Sequence, residues 1–174
     1  MSTEAAWHDE PELTAIIYDD GADVAAIADA IVRRWADAGL KACGLIERQI
    51  PRPGRRRCDM RVTELASGAE ITISHDRGAL ARGCMLDSDG LLRASALVQQ
   101  ALAQGAERAM FNKFGKSEAE GRGLRDAIAD AMSRGVPTIV FTPRRNLAEW
   151  RAFAGELSTE REATDLMAAH IAAE

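Results

Sequence analysis

Residues 13–21 read LTAIIYDDG, and this stretch decides the fold class. A short apolar run that ends in acidic residues and a glycine is typical of a buried strand followed by a turn. Residues 22–38 carry apolar side chains at helical spacing, which indicates an amphipathic helix, and Gly39 ends it. Residues 41–46 are apolar again and predict a second strand. A strand, a helix and a strand in this order predict a βαβ unit with parallel strands.

Strand and helix patterns alternate along the rest of the chain, which favours one α/β domain over residues 13–174, after a flexible segment of residues 1–12. The expected architecture has three layers, with a parallel sheet flanked by helices. The further predicted elements are helices near residues 89–104, 118–134, 146–153 and 160–173, and strands near residues 107–111 and 136–142.

One segment departs from this alternation. Residues 58–65 and 70–74 are β-type runs, and Ser67 and Gly68 between them are turn residues. We therefore predict a β-hairpin insertion at about residues 51–74.

The composition excludes several classes of protein. Hydrophobic residues make up 47% of the chain and charged residues 28%, as in ordinary globular proteins. No run approaches the roughly 18 uncharged apolar residues of a membrane helix, and the N-terminus has no basic start with an apolar core. We therefore expect a cytoplasmic protein with no membrane insertion.

The net charge and the cysteine content limit which kinds of partner and ligand the protein is expected to bind. The net charge of -5 argues against nucleic-acid binding, which needs a positive field over a whole face. Three cysteines without a C-x-x-C pair predict neither a disulfide framework nor a zinc ribbon. We assign no metal ligand, no cofactor and no catalytic residue from the sequence.

In an open parallel sheet, ligands bind at the carboxyl ends of the strands, and this rule selects the loops at residues 19–23, 112–117 and 142–146. The first loop reads DDGAD, with one glycine, no lysine and three carboxylates, whereas a phosphate-binding loop needs several glycines and a lysine. Such a loop would repel a triphosphate. Its alternative role is an acidic turn that caps the following helix through Asp20 or Asp23.

The second loop, residues 112–117, reads NKFGKS. It is not a Walker motif, because the first glycine of that motif would fall at Met110. Its lysines, asparagine and glycine, just before a helix, suit a small oxyanion. The alternative is a solvated loop with a capping box from Ser117 to Glu120.

The predicted hairpin region is rich in arginine. Guanidinium groups bind phosphate- or sulfate-shaped anions through paired hydrogen bonds, so anion capture is the functional interpretation. A solvated hairpin or a salt-bridged subunit contact is equally compatible with the pattern. The arginines are Arg48, Arg52, Arg55, Arg56, Arg57 and Arg61.

The element order, with the segments KACGLIE at 41–47, LASGAE at 65–70 and VPTIV at 136–140, resembles the small nucleoside-triphosphatase family of the P-loop class over about residues 13–155. The segments CDM at 58–60 and NKFGK at 112–116 resemble more closely an uncharacterised bacterial family, often encoded beside molybdate-transport genes, which would be a degenerate relative of that class. The resemblance implies a three-layer, P-loop-NTPase-like fold and a role in handling molybdate or molybdenum cofactor.

The sequence departs from the nucleotide-hydrolysing relatives at their catalytic positions. Residues 20–24 lack the Walker glycines, lysine and threonine, and Asn112 and Lys113 replace the acidic pair that follows the third strand. Hydrolysis by the mechanism of that family is therefore not expected.

These observations predict a non-hydrolytic, P-loop-derived binding protein for a small oxyanion or a phosphorylated small molecule. One alternative is a nucleoside triphosphatase with rearranged groups, its lysine supplied by Lys116 and its metal held by Asp19 or Asp20. Another is an interaction module that forms a homo-oligomer or docks on a transporter ATPase. The predicted ligand-binding residues are Asp20, Gly21, Arg55, Arg56, Arg57, Asn112, Lys113, Gly115, Lys116 and Ser117.

Overall fold

A computed structural model describes residues 12–51, 53–54, 59–75 and 86–171. Within these ranges, seven strands form one sheet in the order β4-β3-β2-β5-β6-β1-β7. The strands are β1 (Leu13–Tyr18), β2 (Ala42–Ile50), β3 (Asp59–Glu64), β4 (Glu70–Thr72), β5 (Arg108–Asn112), β6 (Thr138–Pro143) and β7 (Thr159–Glu162). The helices are α1 (Ala25–Asp37), α2 (Ser88–Ala103), α3 (Lys116–Ala119), α4 (Arg125–Ser133), α5 (Leu147–Ala154) and α6 (Ala163–Ile171).

The sheet is parallel except at one edge. Strands β2, β5, β6, β1 and β7 pair in parallel, whereas β3 and β4 add to β2 as an antiparallel hairpin. The predicted α/β architecture is therefore confirmed, and the hairpin extends the main sheet.

Helices cover both faces of the sheet, which explains the continuous apolar run that opens the sequence. All six residues of β1 are buried. Ile16 packs with side chains of α1 and α6 on one face, while Ala15 and Ile17 pack with those of α2, α4 and α5 on the other. A strand buried on both faces is apolar at successive positions instead of alternating.

The crossovers that leave β1 and β6 run in opposite directions across the sheet. Helix α1 carries the chain from β1 past β6 and β5 to β2, and the later strands return through β5 and β6 to β7 beyond β1. Because crossovers between parallel strands are right-handed, this reversal puts α1 on the opposite face from α2, α4 and α5. The carboxyl ends of β1 and β6 thus flank the topological switch point, where ligands bind in open α/β sheets.

Two element predictions were wrong. The helix expected at residues 118–134 is divided into α3 and α4, because Gly121 and Gly123 adopt φ values of +85° and +65°, which a helix does not contain. The region predicted as a helix from residue 160 begins instead with β7, which pairs with β1 through backbone hydrogen bonds. Along the part of the chain described, no helix is both long and apolar enough to cross a membrane.

Candidate functional site

The loop after β1 faces the loop after β6. Tyr18 is level with Pro143 in the parallel pair β1–β6, so the next residues of both strands are also neighbours. Asp20 accordingly forms an ion pair with Arg145, and both side chains are more than half exposed. The acidic charge of this loop is therefore balanced by basic charge from the adjacent strand end.

Beside this pair, Arg144 connects three elements through hydrogen-bonded ion pairs. Its Nε donates to Asp19 Oδ1 at 2.7 Å, and its Nη2 donates to Glu162 Oε2 at 2.6 Å. The loop after β1, the end of β6 and the end of β7 are thus joined by one guanidinium group.

The acidic loop also starts α1. Gly21 adopts φ +85°, and the backbone N–H of Ala22 donates to the carbonyl of Asp19 at 3.1 Å, which closes a turn. Asp23 Oδ1 accepts the N–H of Ala25 at 3.1 Å. Of the two aspartates expected to cap the helix, Asp23 therefore bonds to its first turn, whereas Asp20 pairs with an arginine.

At the end of β5, Lys113 pairs with a carboxylate that the sequence analysis did not select. Lys113 Nζ lies 3.3 Å from Glu47 Oε1, with side-chain exposures of only 26% and 13%. The register of β2 and β5 aligns Ile46 with the buried Asn112, which brings Glu47 level with Lys113. The Asn112–Lys113 peptide bond is cis.

The remainder of this loop has a different arrangement from the predicted one. Lys116 is 78% exposed, and its Nζ lies 3.8 Å from a carboxylate oxygen of Glu120. The capping box from Ser117 to Glu120 is wrong, because Glu118 accepts the N–H of Gly115 at 2.8 Å instead. Ser117 is half-buried.

Glu118 is a buried carboxyl at the centre of this loop. Its side chain is 4% exposed and accepts the N–H of Leu124 at 2.9 Å as well as that of Gly115. Burial raises the pKa of Glu118, and the hydrogen bonds from both backbone N–H groups oppose that shift. The carboxyl group therefore fixes the turn between α3 and α4.

Two neighbouring cavities open at this edge of the sheet. The larger, called here the edge cleft, has a volume of about 570 Å³, and its walls include Tyr18, residues 20–25, Glu47, Asn112, Lys113 and Arg145. The smaller, called the side cavity, has a volume of about 330 Å³. Both cavities are bounded by Glu47, Asn112, Lys113 and Arg145.

The predicted site residues divide between these cavities. Asp20 and Gly21 line the edge cleft, Asn112 and Lys113 line both cavities, and Gly115, Lys116 and Ser117 line the side cavity. Arg55, Arg56 and Arg57 lie outside the described residues.

Two residues outside the predicted ligand-binding set line both cavities: Glu47, and Arg145 from the selected loop at residues 142–146. Each follows the buried part of a parallel strand, the position from which the other candidates were selected. Only the pairing register of the strands shows that these residues are neighbours of Asp20 and Lys113.

Tyr18 contributes a neutral hydroxyl to the edge cleft. Burial and, to a smaller extent, the Glu47 carboxylate raise the pKa of Tyr18 to about 12, against the opposite effect of Arg145. The phenol therefore keeps its proton at physiological pH and remains available as a hydrogen-bond donor.

A P-loop fold implies a site for a nucleotide with magnesium, but the residues at this edge of the sheet do not fit such a ligand. The loop at residues 19–24 offers no lysine and no hydroxyl, and β5 ends in Asn112 and Lys113 instead of acidic residues. Within the described ranges, no three His, Cys, Asp or Glu side chains are grouped as metal ligands.

Comparison with known proteins identifies the family. Residues 13–169 match the model of a family described as protein of unknown function, DUF2478. The chain belongs to the DUF2478 family. It is also 33% identical over 159 residues to the molybdenum import ATP-binding protein ModC 2 of Bradyrhizobium diazoefficiens.

The match covers most of this chain but only a small part of the Bradyrhizobium protein. It covers 91% of this DUF2478 chain but only 18% of the relative, so the chain corresponds to less than a fifth of that longer protein. No solved structure matches the chain. The three-layer α/β architecture is consistent with a P-loop-NTPase-like domain.

Proposed function

We propose that this DUF2478 domain binds a small oxyanion, or the anionic group of a phosphorylated ligand, in the edge cleft and does so without hydrolysing nucleotide. The observation that carries the proposal is that Lys113 and Arg145, from two neighbouring strands, line one cleft at the topological switch point. Asn112 lines the same cleft and adds an amide group that can donate hydrogen bonds.

The charges of the cleft permit an exchange of anions. Arg145 is paired with Asp20, and exposed pairs of this kind contribute little to stability because water and salt screen them. A doubly charged oxyanion can therefore replace the Asp20 carboxylate on the guanidinium. Lys113 is held by the largely buried Glu47, so its ammonium group keeps one position as the anion arrives.

The rival hypothesis of a rearranged nucleoside triphosphatase has less support. Lys116, the lysine assigned to it, is mostly exposed and lines the side cavity, whereas Asp20 lines the edge cleft. Asp19 and Asp20 are both engaged by arginines, which compete with a metal ion for the same carboxylates.

Molybdate is the first oxyanion to test. The resemblance to a family encoded beside molybdate-transport genes and the similarity to a molybdenum import ATP-binding protein both support this choice. Tungstate, sulfate and phosphate have the same tetrahedral shape and show whether binding depends on charge alone.

Isothermal titration calorimetry with these four anions, and with ATP and magnesium, tests the proposal. We expect saturable heat with molybdate and a loss of affinity of at least about tenfold in Arg145→Gln, since a charge-assisted contact contributes about 1.5–3 kcal/mol. Arg134→Gln is the matched control, because Arg134 is also a half-exposed arginine paired with an aspartate, but it lines neither cavity. Absence of heat with every oxyanion contradicts the proposal, and equal affinities of the two variants contradict the site.

We also propose that this domain associates with the ATP-binding protein of a molybdenum importer. In the Bradyrhizobium relative, the segment similar to this chain is covalently joined to a much longer remainder. This domain is similar in sequence to that segment and can make the corresponding contact with such a remainder. Size-exclusion chromatography of this chain mixed with the Bradyrhizobium protein lacking the matched segment should give co-elution, and separate elution at micromolar concentrations contradicts this second proposal.

A further inference from the structure

The side cavity has an apolar floor. Val62, Leu91 and Leu124 are buried and line it, and Met60 and Leu86 line it as partly buried side chains. A bare oxyanion makes no favourable contact with such a surface, whereas a hydrocarbon or ring surface does.

The side cavity adjoins the edge cleft. Lys113 and Arg145 belong to the walls of both, so a ligand with its anionic group beside these two side chains can extend towards the apolar floor. A volume of about 330 Å³ lies in the range of pockets that hold small organic ligands, whereas a water molecule takes up about 30 Å³ of the liquid. An inorganic anion alone would leave most of the space to water.

The charged side chains of the side cavity are already paired. Three carboxylates and four cations line it: Glu47, Glu118, Glu120, Lys113, Lys116, Arg122 and Arg145. Glu118 accepts backbone N–H groups, Glu120 pairs with Lys116 and Arg122, Glu47 pairs with Lys113, and Arg145 pairs with Asp20. The surface that remains for the rest of a ligand is the apolar floor, which favours an uncharged ring.

We propose that the ligand of this domain is a phosphorylated organic molecule whose anionic group lies beside Lys113 and Arg145 in the edge cleft and whose uncharged ring lies on the apolar floor of the side cavity. The inference rests on the proposed function and specifies its ligand class. It follows from the two cations, Lys113 and Arg145, that line both the edge cleft and the cavity with the apolar floor.

Calorimetry with inorganic phosphate and with phenyl phosphate tests this inference. We expect phenyl phosphate to bind at least about tenfold more tightly, because a buried ring removes apolar surface from water. Ser88→Trp is the variant to compare, because Ser88 is exposed at the start of α2 and lines the side cavity. The substitution leaves the N-cap of α2 in place, since Asp87 provides it. An indole at this position competes with the phenyl ring for the cavity, so the advantage of phenyl phosphate over phosphate, measured within the variant, should fall to less than about twofold.

Ser133→Trp is the matched control, because Ser133 is an exposed serine in α4 that does not line the side cavity. It should keep the full advantage of phenyl phosphate. Circular dichroism establishes that both variants are folded. Equal affinities for the two phosphates in the unmodified protein, or an advantage that persists in Ser88→Trp, overturn this inference while leaving anion binding intact. If neither phosphate nor molybdate binds, the proposed function and this inference fail together.

Discussion

Two glycines in the turn between α3 and α4 allow a matched test of how much the buried Glu118 contributes to the stability of the fold. Gly121 and Gly123 both have positive φ, so an alanine at either position is strained by about 1–2 kcal/mol. They differ in what a Cβ atom would meet. At Gly121 it would lie 3.2 Å from the guanidinium of Arg125, whereas at Gly123 it would lie 2.1 Å from Glu118 Oε1.

The two substitutions should therefore destabilise the protein to different extents. The end of the Arg125 side chain can move, so Gly121→Ala should reduce the free energy of unfolding by about 1–2 kcal/mol. Gly123→Ala must also displace the Glu118 carboxylate from the N–H groups of Gly115 and Leu124. Hydrogen bonds to a charged group contribute about 1.5–3 kcal/mol each, so losing one of them in addition to the strain predicts a total of about 2.5–5 kcal/mol, and losing both predicts more.

Urea denaturation followed by tryptophan fluorescence measures this difference, since Trp150 is fully buried and packs against Phe114. In the background of Glu118→Ala, the extra effect of Gly123→Ala should largely vanish, because the displaced carboxylate is absent. Equal destabilisation by the two glycine substitutions, within about 0.5 kcal/mol, would refute the role assigned to Glu118.

Three further outcomes can be measured on single variants. Gly44→Ala should destabilise the fold by at least about 4 kcal/mol in urea denaturation, because its Cβ would lie 1.8 Å from the carbonyl oxygen of Met110. Glu64→Ala should reduce the free energy of unfolding by about 2–4 kcal/mol in the same assay, since the buried Glu64 carboxylate accepts several backbone N–H groups. Tyr18 is the single tyrosine of the chain, so ultraviolet absorbance should show phenolate forming with a pKa of about 12, lowered in Glu47→Gln. Because folding raises this pKa, the folded protein holds a proton that the unfolded chain has lost, and stability should fall as the pH rises from about 10 to about 12.

The central elements could be predicted from the sequence because their burial leaves a periodic signal. β1 and β6 are apolar at successive positions, and α1 carries an apolar face that packs on the sheet. The hairpin was predictable from turn residues: Gly68 adopts φ +71°, and its N–H donates to the carbonyl of Glu64 at 2.8 Å.

Other elements depend on contacts that leave no periodic pattern of apolar residues in the sequence. β7 is the charged edge strand TERE, held by backbone hydrogen bonds to β1, and its side chains give no apolar pattern. The break between α3 and α4 depends on glycine conformations and on the buried Glu118. Local composition does not separate β7 from a helix, whereas the two glycines at residues 121 and 123 are a turn signal that the helical interpretation overlooked.

For the candidate site, the sequence predicted the loops but not the pairs of charges between them. Asp20 and Lys113 were selected because they follow strands, whereas Arg145 and Glu47 become their partners only through the pairing registers of β1 with β6 and β2 with β5. A register is a property of the assembled sheet.

The position of β1 in the sheet has a consequence for how the protein is made. Leu13 pairs with Thr138, and Thr14 pairs with Thr159, so both neighbours of β1 come much later in the sequence. During synthesis this apolar segment leaves the ribosome long before β6 and β7 exist. The newly made protein must therefore keep an unpaired hydrophobic strand from aggregating until β6 and β7 have been synthesised, so β1 is among the last strands to join the sheet.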